Sequence, residues 1–330
     1  MIITRTPFRI SFAGGGTDLR EFYSHEPGNV ISTSIDKYIY VVVKKQIGIV
    51  EHKYRINWSK VEFRNNINDI EHPIVREALR MFGIDFPIEI TTFTDIPGST
   101  GLGSSSAFAV GLVHALHALK GEMATKHMIA SEAARIEVDI LGRTMGKQDH
   151  YASAYGDLNV FTFTSDEVVK VEPVLYKYKA KKHIESNLLL FYLNIKRNAS
   201  VILESQQKET ENKLNELRDI QSLVNPIRDI FSSGVGFNTF GELLHKGWQI
   251  KRELTVDISS KEIDRYYDMG IKSGALGGKL LGAGGGGFLL FYVEKEHHQN
   301  VIKSLSDLYL LPVKFDNSGT RITYYDQPNV

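Results

Sequence analysis

The chain has 330 residues, and its 39 Lys and Arg residues balance 39 Asp and Glu residues, so its formal net charge is zero. A neutral chain has no general electrostatic attraction for nucleic acid or for an anionic membrane, and we expect neither as a partner. The absence of cysteine excludes disulfides and thiolate chemistry, and the lack of a signal-peptide pattern or a bilayer-length apolar run leads us to expect a cytoplasmic protein.

The first predicted elements include a strand that ends in glycines. Residues 10–13 are predicted to be a strand, and three glycines at 14–16 separate it from Thr17 and Asp18. Such a run is typical of a hairpin turn, but it also presents a hydroxyl and a carboxylate that can hydrogen-bond a polar ligand. Both interpretations stay open on these residues alone. A second, nearly all-apolar strand is predicted over 39–44.

A Gly/Ser-rich loop is the most informative segment of the chain. It covers residues 97–107, follows a predicted strand over 87–93 and leads into an apolar helix over 108–119, with Gly121 as a helix stop. A helix start of this kind offers free backbone N–H groups and a favourable dipole to a polyphosphate, and its hydroxyls can reach a hard metal ion. A serine that caps the helix would explain one of these residues, but not a segment of eleven that is rich in glycine and serine. We therefore predict an anion-binding loop.

The second half of the chain is mostly helical. A helix is predicted over 129–141, and the polar segment 176–187 before an apolar strand at 188–192 is a plausible domain boundary. At this length two domains are expected. Three further helices are predicted over 200–218, 240–253 and 264–273.

A second glycine loop, residues 282–287, holds five glycines in six positions and enters an apolar strand. Glycine loses more backbone entropy on folding than any other residue, so such a run is a costly way to make a turn. The loop is reasonable if its backbone passes very close to a ligand or to another loop. We predict such a close approach.

Two other nucleotide-binding motifs, the Walker loop and the dinucleotide fingerprint, are incomplete in this sequence. Residues 142–148 look like a Walker loop, but the glycine spacing is one residue short and Gln148 replaces the required Ser or Thr. The dinucleotide fingerprint lacks its third glycine at Ser106, which argues against a nicotinamide oxidoreductase.

Three motifs in this order resemble the GHMP kinases, the family of galactokinase and of homoserine, mevalonate and phosphomevalonate kinases. Residues 7–18 are similar to the family's sugar-binding first motif, and residues 279–288 to its third. The ATP loop of the family, P-x-x-x-G-L-x-S-S-x-A, matches Pro97, Gly101, Leu102, Ser104, Ser105 and Ala107 without a gap. The resemblance covers about residues 1–295.

The resemblance implies an α+β fold of two domains. These are an N-terminal α/β domain with a left-handed βαβ unit, over 1–185, and a ferredoxin-like α+β C-terminal domain, over 186–330. Within the family, residues 13–18 are most similar to the branch of D-glycero-D-manno-heptose 7-phosphate kinases, with fucokinase domains as cousins. Galactokinases carry Gly-Glu-His before Thr-Asp, so the three glycines here argue against galactose.

The same resemblance implies an ATP- and Mg²⁺-dependent kinase that phosphorylates the anomeric hydroxyl of a sugar phosphate, in the synthesis of nucleotide-activated heptose. Its ATP-binding residues would be Pro97, Gly98, Gly101, Leu102, Gly103, Ser104, Ser105 and Ser106. Ser105 and Glu137 would bind the metal, although a glutamate on a helix is often only a solvated charge. Trp58 is a candidate for stacking on adenine, but tryptophan is more often a core residue.

Asp149 aligns with the catalytic aspartate of the family, which accepts the proton of the acceptor hydroxyl, and Arg9 with the arginine that pairs with it. The implied substrate-binding residues are Gly15, Gly16, Thr17, Asp18, Gly284, Gly285 and, for the distal phosphate, Arg197. Arg197 is equally well explained as a surface charge. Two other functions stay open, namely another GHMP sugar kinase such as L-fucokinase and a non-catalytic sugar or nucleotide sensor. The oligomeric state is also open, with a homodimer as one option.

Overall fold

The computed structural model describes residues 1–195 and 199–326 as two antiparallel-rich sheets with helices packed on them. The strands are β1 (Ile2–Ala13), β2 (Gly28–Lys45), β3 (Tyr54–Asn57), β4 (Val61–Arg64), β5 (Ile88–Thr94), β6 (Leu158–Phe163), β7 (Val169–Pro173), β8 (Leu188–Tyr192), β9 (Ala275–Leu280), β10 (Phe288–Val293), β11 (Tyr309–Leu311), β12 (Phe315–Asp316) and β13 (Arg321–Tyr325). The α-helices are α1 (Arg20–Tyr23), α2 (Pro73–Met81), α3 (Ser104–Leu119), α4 (Lys126–Ala134), α5 (Gln148–Tyr155), α6 (Tyr178–Ser186), α7 (Ala199–Glu209), α8 (Leu214–Ser222), α9 (Val224–Ser233), α10 (Phe237–Lys251), α11 (Lys261–Lys272) and α12 (His298–Ser304).

The larger sheet has the strand order β13-β1-β2-β5-β3-β4. Strands β6 and β12 also pair with β2, and β7 pairs with β6. Strand β2 is long enough to pair with β6 in its first half and with β5 in its second. Strands β3 and β5 pair in parallel, with α2 in the connection between them, which makes a βαβ unit. Helix α3 packs on β1 and β2.

Helix α3 lies close to the sheet because Gly111 has no side chain. A Cβ atom there would come within 2.9 Å of Thr6 Oγ1, and the Gly111 carbonyl accepts a hydrogen bond of 2.9 Å from Thr4 Oγ1. Leu112 and Leu116 of the same helix are fully buried. The apolar helix predicted from the sequence is therefore a core element, and its middle turn lies against β1.

The smaller sheet has the order β11-β8-β10-β9 and is antiparallel throughout. Helix α10 packs on β9, where a Cβ atom on Gly277 would lie 1.9 Å from the carbonyl oxygen of Gly241. This backbone contact fixes the N-terminal part of α10 beside β9. The hydrophobic core of the smaller sheet includes Leu189 and Phe191, and Trp248 of α10 is fully buried in it.

Two of the predicted helices differ in kind from the helices of the structure. The helix predicted over 200–218 is two helices, α7 and α8, separated by a short 3₁₀ turn at Glu211–Lys213. The helix predicted over 129–141 begins as α4 and continues as a π-helix over Arg135–Ile140, a rare geometry that is frequent at functional sites.

Residues near the C-terminus belong to the larger sheet. Strands β12 and β13, near the C-terminus, pair with β2 and β1, so residues 315–325 complete the larger sheet. Among the described residues no helix combines the length and the apolar character needed to cross a bilayer.

Candidate active site

Arg9 and Asp149, 140 residues apart in the chain, meet in a two-pronged ion pair. Strand β1 carries Arg9 and the first turn of α5 carries Asp149, where the helix dipole favours a negative charge. Arg9 Nε donates to Asp149 Oδ1 at 2.5 Å and Arg9 Nη2 to Oδ2 at 2.7 Å, while Nη1 donates to the Gly101 carbonyl at 2.7 Å. The arginine thus fixes the orientation of the carboxylate and ties it to the Gly/Ser-rich loop.

Asp18 lies beside this pair and is 3% exposed. Its Oδ1 accepts hydrogen bonds of 3.0 Å from the Gly16 amide and from Gln148 Nε2, and its Oδ2 accepts one of 3.2 Å from the Gln148 amide. Burial raises the pKa of Asp18, and the nearby charge of Asp149 adds to the effect. Thr17 faces away, since its hydroxyl donates to the carbonyls of Gly14 and Asn29 and is fully buried.

A cavity with an empty volume of about 850 Å³ opens in front of these groups. Gly15 and Gly16 of the first motif line it, as do Arg9, Asp18 and Asp149. The buried hydroxyl of Ser11 and the Oε1 atom of Gln148 belong to the lining and have no hydrogen-bond partner within 1–195 and 199–326. Buried polar atoms are almost always paired, so these two indicate a polar ligand.

The cavity wall also holds two lysines from the second half of the chain. Lys251, at the end of α10, donates to the Gly282 carbonyl, and Lys279, on β9, donates to the Phe12 carbonyl at 2.9 Å. Burial and the charge of Arg9 lower the pKa of Lys251 to about 8. Burial, with the charge of Lys251 adding to it, also lowers the pKa of Lys279.

The lowered pKa of Lys251 predicts a pH-dependent stability. The unfolded chain keeps this proton up to about pH 10.5 and the folded chain only to about pH 8, so the buried charge destabilises the fold below pH 8. This penalty disappears as the pH rises from 8 to 10.5. Lys251→Met should therefore be about 1–3 kcal/mol more stable than the wild type at pH 7, and the difference should shrink by pH 10. Urea unfolding at both pH values measures it, with exposed Lys246→Met as the control.

The Gly/Ser-rich loop precedes α3 and presents the start of that helix. Gly101 and Gly103 have φ values of 82° and 78°, so both adopt the left-handed conformation that favours glycine. The Leu102 carbonyl accepts a hydrogen bond from the Arg9 amide at 3.1 Å. Ser104, Ser105 and Ser106 form the first turn of α3, whose N–H groups have no partner within the helix. The loop therefore has the form of a phosphate cradle.

The second glycine loop packs against the first, as the sequence predicts. A Cβ atom on Gly287 would lie 2.2 Å from the Thr100 carbonyl oxygen, and one on Gly101 would lie 2.5 Å from that of Leu281. The structure does not place Gly284 and Gly285 in the cavity lining, because both contact Ile258. Gly282 and Ala283 line the cavity instead.

Ser105 and Glu137 form a second polar centre. Ser105 Oγ donates to Glu137 Oε1 at 2.5 Å, and His150 Nε2 lies 2.9 Å from Oε2. The guanidinium of Arg143 contacts both Ser105 Oγ and Glu137 Oε1. Burial opposes ionisation, but the bonds from His150 and Ser105 and the charge of Arg143 keep the pKa of Glu137 below its usual value.

Trp58, the candidate for stacking on adenine, is not part of the cavity lining. Trp58 is partly buried, packs edge-on against His72 and donates to Glu62 at 2.8 Å. His72 in turn contacts Phe108 of α3, so Trp58 lies two side chains away from the helix that the Gly/Ser-rich loop precedes. Arg197 lies outside the described residues.

Sequence reasoning missed several residues of the site. Lys251 is one lysine among others on a helix, and nothing in its local pattern distinguishes it. Arg143 and Gln148 lie in residues 142–148, whose only recognisable pattern is an incomplete Walker loop. Lys279 is the first residue of the third motif, so the motif itself could have identified it as a site residue.

The paired carboxylate, the polar cavity and the phosphate cradle together define a small-molecule kinase, an enzyme that passes a phosphoryl group from a nucleotide to a hydroxyl. The sequence profiles of the GHMP kinase N-terminal and C-terminal domains match residues 69–157 and 236–309. The chain is 30% identical to a D-glycero-alpha-D-manno-heptose 7-phosphate kinase of Campylobacter jejuni, over 97% of this chain and 98% of the relative.

A second relative and a solved structure are also similar to this chain. The chain is 26% identical to the L-fucokinase/L-fucose-1-P guanylyltransferase of Bacteroides fragilis, over 86% of this chain but 34% of that protein. Its fold matches the crystal structure of a D-glycero-D-manno-heptose 1-phosphate kinase from Bacteroides thetaiotaomicron with a TM-score of 0.80, at 21% identity, over 99% of this chain and 100% of that one. The chain belongs to the GHMP kinase family and is an ATP-dependent sugar kinase.

Proposed function

We propose that the enzyme transfers the γ-phosphoryl group of ATP to the anomeric hydroxyl of D-glycero-D-manno-heptose 7-phosphate, giving the 1,7-bisphosphate. This step would serve the synthesis of nucleotide-activated heptose. The observation that carries the proposal is the Arg9–Asp149 pair at the cavity, in a chain 30% identical along its length to a kinase named for this substrate. The glycines at 14–16, where galactokinases carry Gly-Glu-His, support a sugar other than galactose.

The proposed reaction uses Asp149 as the proton acceptor. Each oxygen of its carboxylate accepts one bond from Arg9 and keeps a second lone pair for the sugar hydroxyl. The sugar oxygen bonds to the γ-phosphorus as the bond from that phosphorus to the β–γ bridging oxygen breaks. The hydroxyl proton passes to Asp149 and ADP leaves. Because the transition state is loose, positioning and charge neutralisation matter more than activation of the nucleophile.

Asp18 is the proposed anchor for the sugar hydroxyls, and Gly146 keeps room for it. A Cβ atom on Gly146 would lie 1.8 Å from Asp18 Oδ2. Gly146→Ala should therefore displace the carboxylate and raise the KM for the sugar at least about tenfold, by loss of a charged hydrogen bond, with little change in the KM for ATP. Steady-state kinetics measures both constants. Gly48→Ala, with nothing within 4 Å of its Cβ, is the control that should behave as wild type.

Ser105 and Glu137 are the proposed Mg²⁺ ligands, and their arrangement fits a cation. Their oxygens lie 2.5 Å apart, and the positive guanidinium of Arg143 already contacts both. Within the described ranges there is no cluster of three or more His, Cys, Asp or Glu residues suited to a metal, so phosphate oxygens and water would complete the shell. When bound, Mg²⁺ would neutralise charge on the β- and γ-phosphate oxygens.

Removing the Glu137 charge should weaken the metal site. Glu137→Gln keeps the shape of the side chain, and we expect it to raise the Mg²⁺ concentration for half-maximal activity at least about tenfold. Fluorescence titration of nucleotide binding against Mg²⁺ should give the same shift without turnover. Asp139→Asn, an exposed carboxylate on the same π-helix, is the matched control. Equal Mg²⁺ requirements in both variants would contradict the assignment of Glu137.

A substrate panel tests the proposed function. ADP release with Mg-ATP should give the highest kcat/KM for D-glycero-D-manno-heptose 7-phosphate, compared with the unphosphorylated heptose, its 1-phosphate and L-fucose. Preference for L-fucose would instead support a fucokinase. Nucleotide binding with no ADP from any sugar would favour a sensor, against which the intact Arg9–Asp149 pair argues.

A further inference from the structure

The cavity contains more positive charge than its own carboxylates neutralise. Three cations, Arg9, Lys251 and Lys279, line it beside two carboxylates, Asp18 and Asp149, which leaves one positive charge in excess. Arg9 pairs with Asp149, and Asp18 is held by uncharged N–H donors. The remaining cations are Lys251 and Lys279. In the part of the chain that the structure describes, the hydrogen bonds of both ammonium groups go to backbone carbonyls and neither forms an ion pair with a carboxylate.

The fold leaves these two lysines little freedom to turn into bulk water. Lys279 is 8% exposed, and its ammonium reaches across to the Phe12 carbonyl on β1. Lys251 ends α10, which the Gly241–Gly277 backbone contact fixes beside the strand that carries Lys279. Burying an ammonium group without a counter-charge costs stability. A fold that keeps one buried and one half-buried ammonium group in one cavity, with positive charge in excess, indicates an anionic ligand.

The donors that remain free suit a phosphate monoester. Each ammonium has three N–H donors and uses one on a carbonyl, which leaves two per lysine for phosphate oxygens. The same cavity presents the unpartnered Ser11 hydroxyl and Gln148 Oε1, which suit the neutral hydroxyls of a sugar. The cavity therefore offers hydrogen-bonding groups for both parts of a sugar phosphate: ammonium donors for the phosphate, and a hydroxyl and an amide oxygen for the sugar hydroxyls.

We infer that Lys251 and Lys279 bind the phosphate group that the sugar substrate already carries, and so make the enzyme selective for a phosphorylated sugar. This inference rests on the proposed function and deepens it. Arg197, the residue predicted for this phosphate, lies outside the described residues. The lysines act on binding of the sugar, while Arg9 and Asp149 act at the hydroxyl that is phosphorylated.

The test compares one sugar with and without its phosphate. The heptose 7-phosphate and the unphosphorylated heptose are each assayed at saturating Mg-ATP with the wild type, Lys279→Gln, Lys251→Gln and Lys246→Gln. Each of the first two variants should lose about 10- to 100-fold in kcat/KM for the phosphorylated sugar, the range for losing a charged hydrogen bond. The loss for the unphosphorylated sugar should stay within about threefold. Lys246 is exposed on α10, outside the cavity. Lys246→Gln removes the same charge there, so this variant should match the wild type.

Binding without turnover gives a second readout. Calorimetric titration of the heptose 7-phosphate into nucleotide-free protein should show the same 10- to 100-fold weakening in both cavity variants. Thermal unfolding checks that each variant is folded, and the two variants are independent, so one that fails to fold leaves the other to decide. Equal losses for both sugars, or a loss confined to the KM for ATP, would overturn the inference.

Failure of the inference differs from failure of the proposed function. If the wild type uses another sugar phosphate in preference to heptose, the heptose assignment fails, and the same comparison on that sugar still decides the role of the lysines. If the wild type phosphorylates heptose equally well with or without its phosphate, the inference is overturned while the enzyme remains a heptose kinase.

Discussion

Asp149→Asn should lower kcat by about 10²- to 10⁴-fold, the usual contribution of a general base, and leave the Kd for ATP within about threefold. The amide keeps the size of the side chain but cannot accept the hydroxyl proton. It also loses the charge that pairs with Arg9, whose Nε and Nη2 contact the two carboxylate oxygens at 2.5 and 2.7 Å. Single-turnover kinetics at saturating sugar and ATP would separate this loss from substrate binding.

The exposed Asp166→Asn is the control for this variant and should keep wild-type kcat. Arg9→Lys is informative beside it, because lysine retains a charge but not the fork that holds Asp149 and Gly101 together. A kcat within about fivefold of wild type in Asp149→Asn would mean that Asp149 is not the proton acceptor.

Gly287→Ala should have the second large effect, on both stability and ATP binding. The added Cβ would lie 2.2 Å from the Thr100 carbonyl oxygen, and the φ of 99° at this position is strained for any other residue. We expect the free energy of unfolding to fall by about 3 kcal/mol or more and the Kd for ATP to rise at least tenfold, because the Gly/Ser-rich loop must move.

Urea unfolding and nucleotide titration measure these two effects. Gly48→Ala serves again as the control, since its Cβ meets nothing within 4 Å. Normal ATP affinity in a destabilised Gly287→Ala protein would show that the contact between the glycine loops supports the fold and has no part in forming the ATP site.

Local sequence signals predicted the parts of the site that are local in the fold. The Gly/Ser-rich segment stands between a strand and an apolar helix, as expected, although the helix begins at Ser104 and not at the predicted residue 108. Glycine, serine and a long apolar run act over a few residues, so their signal is local. The close approach of the loop at 282–287 was also predictable, since only a steric reason explains so many glycines.

Features that depend on distant contacts were not predictable from the residues alone. The Arg9–Asp149 pair joins positions 140 apart, and only the resemblance to a family put them together. Lys251 lines the cavity through the packing of α10 on the smaller sheet, a tertiary arrangement with no local pattern. For the same reason, a boundary read from one polar segment could not reveal that residues 315–325 return to the larger sheet.

Phosphorus NMR of the reaction with Mg-ATP and D-glycero-D-manno-heptose 7-phosphate is the most direct test of the central claim. The account predicts a new anomeric phosphate signal that grows in step with ADP, beside an unchanged 7-phosphate signal, and its loss in Asp149→Asn. A new phosphate signal at any other position, or no new signal while ADP forms with a different sugar, would contradict it.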